Sequence, residues 1–189
     1  MIDSDGNLTV EPAEGETTGT LADASPWSSY ASSIKTATFK PGVVATSAAS
    51  MFKNCENMTS VDLSGLDTSG VADMTYMFRS CKALTSIDVS CLDFGSVTDA
   101  TMMFASCSSL ASINLTGVSA PKLQNVTDMF WFCSALTSVD LSFLKGSPLT
   151  NINSMFGYCS ALTSLDLTPL DTWRILGNVA TPPVDSVGF

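Results

Sequence analysis

Apolar residues recur along this chain in two rhythms, and both restart every 26 residues. The first carries Met-Phe at Met51, Met77, Met103, Met129 and Met155, then Cys55, Cys81, Cys107, Cys133 and Cys159 four positions later. Three residues further on come Met58, Leu84, Leu110, Leu136 and Leu162. Positions 0, 1, 4 and 7 lie on one side of a helix, so this stretch predicts a helix of about two turns. Four residues before each Met stands Ser47, Asp73, Asp99, Asn125 or Asn151, all preferred N-cap residues. The second rhythm is a strict alternation. In "LTSIDVS", Ile87 and Val89 fall on one face and Ser86, Asp88 and Ser90 on the other, which predicts a short strand with one buried side. Stretches such as "GLDTSG" and "CLDFGS" supply turn chemistry before the next unit.

A fixed period between about 20 and 50 residues is the signature of a solenoid, in which each unit buries its apolar face only against its neighbours. The strand stretch has the form L-x-x-L-x-L of leucine-rich repeats. Where that pattern continues with a buried Asn or Cys, this chain has Leu66, Leu92, Val118, Leu144 and Leu170. Hydrocarbon is therefore expected in place of a polar ladder between coils.

The units "MFxxCxxLTSxDLS" resemble the BspA-like leucine-rich repeats of bacterial surface proteins, in the variant with Met-Phe in each unit, over residues 51 to about 173. The segments "DSDGNLTVEP" and "ASPWSSYASSIKTATFKPGV" look like that family's entry, and "NVATPPVDSVGF" like the start of its closing segment. The resemblance implies an α/β, leucine-rich-repeat-like right-handed solenoid, with a parallel β-sheet on one face and short helices on the other. It implies an N-terminal cap over 1–50 (a hairpin plus an irregular first coil), a five-unit solenoid over 51–173, and a truncated C-terminal cap over 174–189. Trp27 and Tyr30 are placed to cover the first coil, and Trp173, Ile175 and Leu176 the last. By the same resemblance the protein is expected to be bacterial and extracellular, a secreted or cell-surface adhesion module, with leader and anchor not present in this chain.

Composition narrows the chemistry. The chain has 189 residues, room for one domain with a real core, and only 14% are charged against an average of about 25%. Net charge is −10 with eight scattered Lys and Arg, which argues against nucleic acid, whose phosphates demand clustered positive charge. No apolar run approaches the roughly 18 residues of a membrane span, and "MIDSDGNLTV" is not a signal peptide. Histidine is absent, which removes Ser-His-Asp, Cys-His and His-zinc chemistry. No enzyme, cofactor or metal site is expected.

The five in-register cysteines share the apolar face and are expected as buried thiols. Cys91 lies off that column and is the candidate reactive thiol. The outward strand positions form three polar rows: Ser60, Ser86, Ser112, Ser138, Ser164; Asp62, Asp88, Asn114, Asp140, Asp166; and Ser64, Ser90, Thr116, Ser142, Thr168. Such a face is either a solvated one, with each Asp accepting hydrogen bonds from neighbouring Ser and Thr, or a recognition surface, or a weak divalent-cation site. The candidate binding residues are Ser60, Asp62, Ser64, Ser86, Asp88, Ser90, Asn114, Asp140 and Asp166. The expectation is a monomeric, non-catalytic module that binds a protein or glycan on another cell or on matrix. A structural spacer projecting another domain is the alternative. An enzyme pairing Asp62 with Asp88 would need a deep pocket beside them.

Overall fold

A computed structural model describes residues 1–21 and 25–170. The chain enters with a tight turn at Gly6 (φ 89°), which brings Ile2 antiparallel to Leu8. From there every strand pairing is parallel. Strands β1 (Asn7–Val10), β3 (Thr36–Phe39) and β5 (Ser60–Asp62) form one sheet. A second joins β2 (Gly19–Leu21), β4 (Val43–Ala45) and β6 (Leu66–Asp67). Strands β7 (Ser86–Asp88) and β8 (Ser112–Asn114) pair by themselves, with Ile87 opposite Ile113. The sheet is thus interrupted between β5 and β7. Beyond β8 the equivalent stretches at 138–140 and 164–166 are not strands, although their side chains keep alternating between exposed and part-buried. There the coil-to-coil bond from Thr137 N–H to Ala111 O has lengthened to 3.4 Å, against 2.9 Å for Ala111 to Thr85 one coil earlier.

The expected short helices are not there. The helices among the described residues are two 3₁₀ segments, Ser28–Ser33 and Ser142–Leu144, outside the Met-Phe stretches. Each Met-Phe stretch is instead a run of tight turns whose N–H groups alternate in direction. Met51, Lys53 and Cys55 donate back to Ala48, Ser50 and Phe52 in their own coil. Ser50, Phe52 and Asn54 donate forward to Thr75, Met77 and Arg79 in the next, at 2.8, 2.7 and 2.8 Å. Coil spacing explains the choice. The rings of Phe52, Phe78, Phe104, Phe130 and Phe156 stack at centroid steps of 5.5, 5.6, 5.5 and 5.4 Å. An α-helix is about 10 Å across, so helices could not stack at that step. A two-turn helix would also leave most of its N–H and C=O groups unpaired, whereas the turn ladder pairs them between coils.

The turn ladder requires left-handed backbone at two places per unit, just before Met and three residues after it. Ser50 and Asn54, Tyr76 and Ser80, Met102 and Ser106, Asp128 and Phe132, and Ser154 and Tyr158 all have φ between 49° and 64°. Non-glycine residues enter this region at a cost, and β-branched ones most of all. Ser106→Val should therefore lower unfolding free energy by about 1–2 kcal/mol while Ser106→Gly does not. Equal effects of the two substitutions in urea denaturation would contradict the turn ladder.

The core is the expected set of columns. Met51, Phe52, Cys55 and Met58 are fully buried, as are Met103, Phe104, Cys107 and Leu110 two coils on. Inside the core a polar ladder runs between coils, and it is made of thiols. Cys81, Cys107, Cys133 and Cys159 donate S–H to the carbonyls of Phe52, Phe78, Phe104 and Phe130 at 3.2, 3.0, 3.1 and 3.1 Å. Each of these four carbonyls also accepts the N–H of the cysteine three residues ahead, so the thiol takes its second lone pair. The cysteine column is thus more than space-filling, and the hydrocarbon expected at Leu66, Leu92, Leu144 and Leu170 is present and buried.

Trp27 closes the N-terminal end of the phenylalanine stack. It lies 5.5 Å from Phe52 with planes 29° apart, and its indole N–H donates to Met51 O at 2.7 Å. Tyr30, the other expected cover, is 56% exposed. Trp173, Ile175 and Leu176 lie outside the described residues.

Candidate functional site

The acidic row is built by one local device repeated in each unit. Asp62, Asp88, Asn114, Asp140 and Asp166 each accept the N–H of the residue two ahead (Ser64, Ser90, Thr116, Ser142, Thr168) at 2.9–3.0 Å. This Asx turn bends the backbone away from the extended form, which is why β5, β7 and β8 stop at these residues. Ser90 also donates its hydroxyl to Asp88 at 2.6 Å. All nine candidate residues (Ser60, Asp62, Ser64, Ser86, Asp88, Ser90, Asn114, Asp140 and Asp166) are solvent-exposed.

These bonds favour the charged carboxylate. The Ser64 hydroxyl and N–H hold Asp62 below the ordinary Asp value of 3.8. The Ser90 hydroxyl and N–H, with Asn114, do so for Asp88, and the Ser142 hydroxyl and N–H for Asp140. For Asp166 the Thr168 N–H contributes most, then its hydroxyl. A depressed folded-state pKa gives stability that is whole above the unfolded value and is lost as pH falls through the folded one. Urea midpoints should therefore stay level down to about pH 4 and drop below it. A chain carrying Asp62→Asn, Asp88→Asn, Asp140→Asn and Asp166→Asn should drop less, since Asn114 shows that an amide keeps the turn. Equal acid sensitivity of the two chains would contradict this.

The helix-cap residues do related work without a helix. Asp73, Asp99 and Asn125 accept the N–H of Thr75, Thr101 and Thr127 at 2.8, 2.8 and 3.1 Å, and Asn151 that of Asn153. They open the turn ladder, and their backbones bridge in parallel from Asp73 to Asn151.

Beside the acidic row lies a shallow depression of about 140 Å³, lined by Asp62, Asp88, Ser90 and Cys91 among others. Ligand pockets usually measure about 300–1,000 Å³. Among the described residues no group of three or more Cys, Asp or Glu could hold a metal ion. Nor is any helix there long and apolar enough to cross a membrane.

Cys91 is the exposed cysteine of six free ones, and the other five are buried. Burial pushes Cys55 up to about 12 and Cys159 to about 11, and raises Cys81 and Cys133 as well. Cys91 is also raised, by partial burial first and then by the charges of Asp88 and Asp62. An aromatic disulfide reagent should thus label one thiol in the native protein, slowly, and six after unfolding. Rapid release of two or more equivalents from the native chain would contradict the buried column.

Sequence reasoning passed over three aromatic residues on the turn ladder. Trp131, Phe132 and Tyr158 cluster at centroid distances of 5.5, 5.6 and 5.9 Å, with Phe132 44% and Tyr158 65% exposed. Their signal was the repeat itself, because the matching positions in the first three units hold Lys53, Asn54, Arg79, Ser80, Ala105 and Ser106.

Comparison with known proteins adds the following. No curated protein matches the chain. Among solved structures it is similar to a T. pallidum leucine-rich repeat protein, with a TM-score of 0.43 and 15% identity over 86% of each chain. Residues 46–173 match the family described as "Mycoplasma protein of unknown function, DUF285". That match takes in every Met-Phe unit and more than half of the chain, and the protein belongs to the DUF285 family.

Proposed function

We propose that this chain is a non-catalytic recognition module of a secreted or surface-exposed protein, BspA-like in kind, which binds a protein or glycan through its acidic strand face. The observation that carries this reading is the row itself. Asp62, Asp88, Asp140 and Asp166 are exposed, held in identical Asx turns, and kept ionised. They recur at the same place in each coil, with Asn114 in their place in the third, on coils whose phenylalanine rings stack at steps of 5.4–5.6 Å. Rigid, regularly spaced charge suits an extended partner with a matching repeat, and no loop has to be ordered on binding. A general acid would need a raised pKa and a site closed to water. The lowered carboxylates and the 140 Å³ depression support neither.

The spacer reading draws on the same turns, since carboxylates satisfied within their own coil need no partner. Binding of the parent chain and the four-Asn chain to an array of glycans and matrix proteins separates the two. Binding by the parent and not by the variant is the expected result. Binding by both would remove recognition from the acidic row. Silence from both would favour the spacer.

A further inference from the structure

The turn ladder carries a second surface, separate from the acidic strand face. In the first two units a cation–aromatic cluster is complete within the chain. Tyr76 has Lys53 Nζ 5.1 Å from its ring centroid and Arg79 Cζ at 5.6 Å. The two cations stand two residues after Met51 and Met77, and the ring one residue before Met77. In later units those cation positions become Ala105, Trp131 and Gly157, and the position of Tyr76 is taken by Asp128. There the aromatic rings and the acid are present and the cation is missing.

The arrangement is built. A Cβ on Gly157 would come within 2.9 Å of Trp131 Cδ1, so the glycine makes room for the indole against the next coil. Phe132 and Tyr158 hold left-handed backbone, φ 61° each, which bulky side chains enter at a cost. Asp128 belongs to the same turn, its carbonyl accepting the Trp131 N–H at 2.9 Å. Partial burial raises the Asp128 pKa, and no lysine or arginine pairs with it among the described residues. A partly desolvated carboxylate in the same turn as an exposed aromatic cluster, on a chain of net charge −10, is complementary to a cation.

We propose that Trp131, Phe132, Tyr158 and Asp128 form a docking site for an arginine- or lysine-bearing segment of a partner protein, which supplies from outside the cations that Lys53 and Arg79 supply to Tyr76 within.

The test is calorimetric titration with a blocked peptide of three arginines spaced by glycine, beside its citrulline counterpart. The parent should bind the arginine peptide, and the citrulline peptide should bind about tenfold more weakly. Tyr158→Ala should weaken binding about tenfold, a substitution safe for folding because the side chain is 65% exposed. Asp128→Asn should weaken it about threefold, and the four-Asn strand-face chain about twofold or less. The proposal is overturned if the arginine peptide does not bind, if Tyr158→Ala binds as the parent does, or if the strand-face chain loses as much. Self-association abolished by Tyr158→Ala would name a second copy as the occupant, and Tyr158-dependent binding of a neutral oligosaccharide alone would name a glycan. Either would also overturn it.

Discussion

Replacing Phe104 by alanine is expected to destabilise the protein by about 3–5 kcal/mol, much of the total stability of an ordinary domain. The ring is fully buried midway along the stack, 5.6 Å from Phe78 and 5.5 Å from Phe130, with planes within 2° and 5°. Its removal takes away apolar burial and two stacked contacts and leaves a void that neighbours at a fixed coil step cannot close. Phe104→Leu should cost clearly less, since it keeps most of the volume. In a solenoid each unit is stabilised mainly by its neighbours, so the loss should also uncouple the two halves. Urea denaturation followed by circular dichroism should show the drop in midpoint together with a broader transition. A change under about 1 kcal/mol would mean that the stack is incidental to stability.

Trp27→Ala is expected to cost a comparable amount, about 3–5 kcal/mol, through a different mechanism. Trp27 is 7% exposed, packs on both Phe39 and Phe52, and donates its indole N–H to Met51 O. Without it the first ring of the stack faces solvent and the Met51 carbonyl loses a donor. Trp27→Phe keeps a ring but not the donor, and should lose only part of that amount, about 1 kcal/mol of it from the hydrogen bond. Hydrogen exchange locates the effect: amides of the first turn ladder, Ser50 to Cys55, should lose protection before those around Phe130. Uniform loss along the chain would contradict an end-capping role.

The parts of the fold legible in the sequence were those set by side-chain burial. A 26-residue period without insertions fixes which residues stack on which, so the Phe, Met and Cys columns could be written down before any coordinate. Backbone course was not legible, because the spacing 0, 1, 4, 7 suits one face of a helix and one face of a turn ladder alike. The discriminating signal lay in Ser50, Asn54, Ser80, Ser106, Asp128 and Ser154, residue types that are small or that tolerate left-handed backbone. Tyr76, Met102, Phe132 and Tyr158 at the remaining positions masked it.

The thiol ladder was hidden for a related reason. Cysteine in an apolar column looks like a small hydrophobe, and only the coil-to-coil register shows that its S–H meets a carbonyl. At the candidate site the exposure of the acidic row followed from alternation alone. Its Asx turns follow from the D-x-S and D-x-T spacing, which was in plain view, but whose use in ending the strand needs the backbone to be seen.

The claim beneath all of this is that one coil is repeated in register, so that units are interchangeable. Excision of residues 78–103, a full period, joins Met77 to Phe104 and restores a Met-Phe pair in the same register. The shortened chain should fold, melt cooperatively at a lower temperature, and have no thiol that labels in the native state, because Cys91 is removed with the excised coil. A chain that fails to fold, or that exposes its remaining cysteines in the native state, would contradict the account.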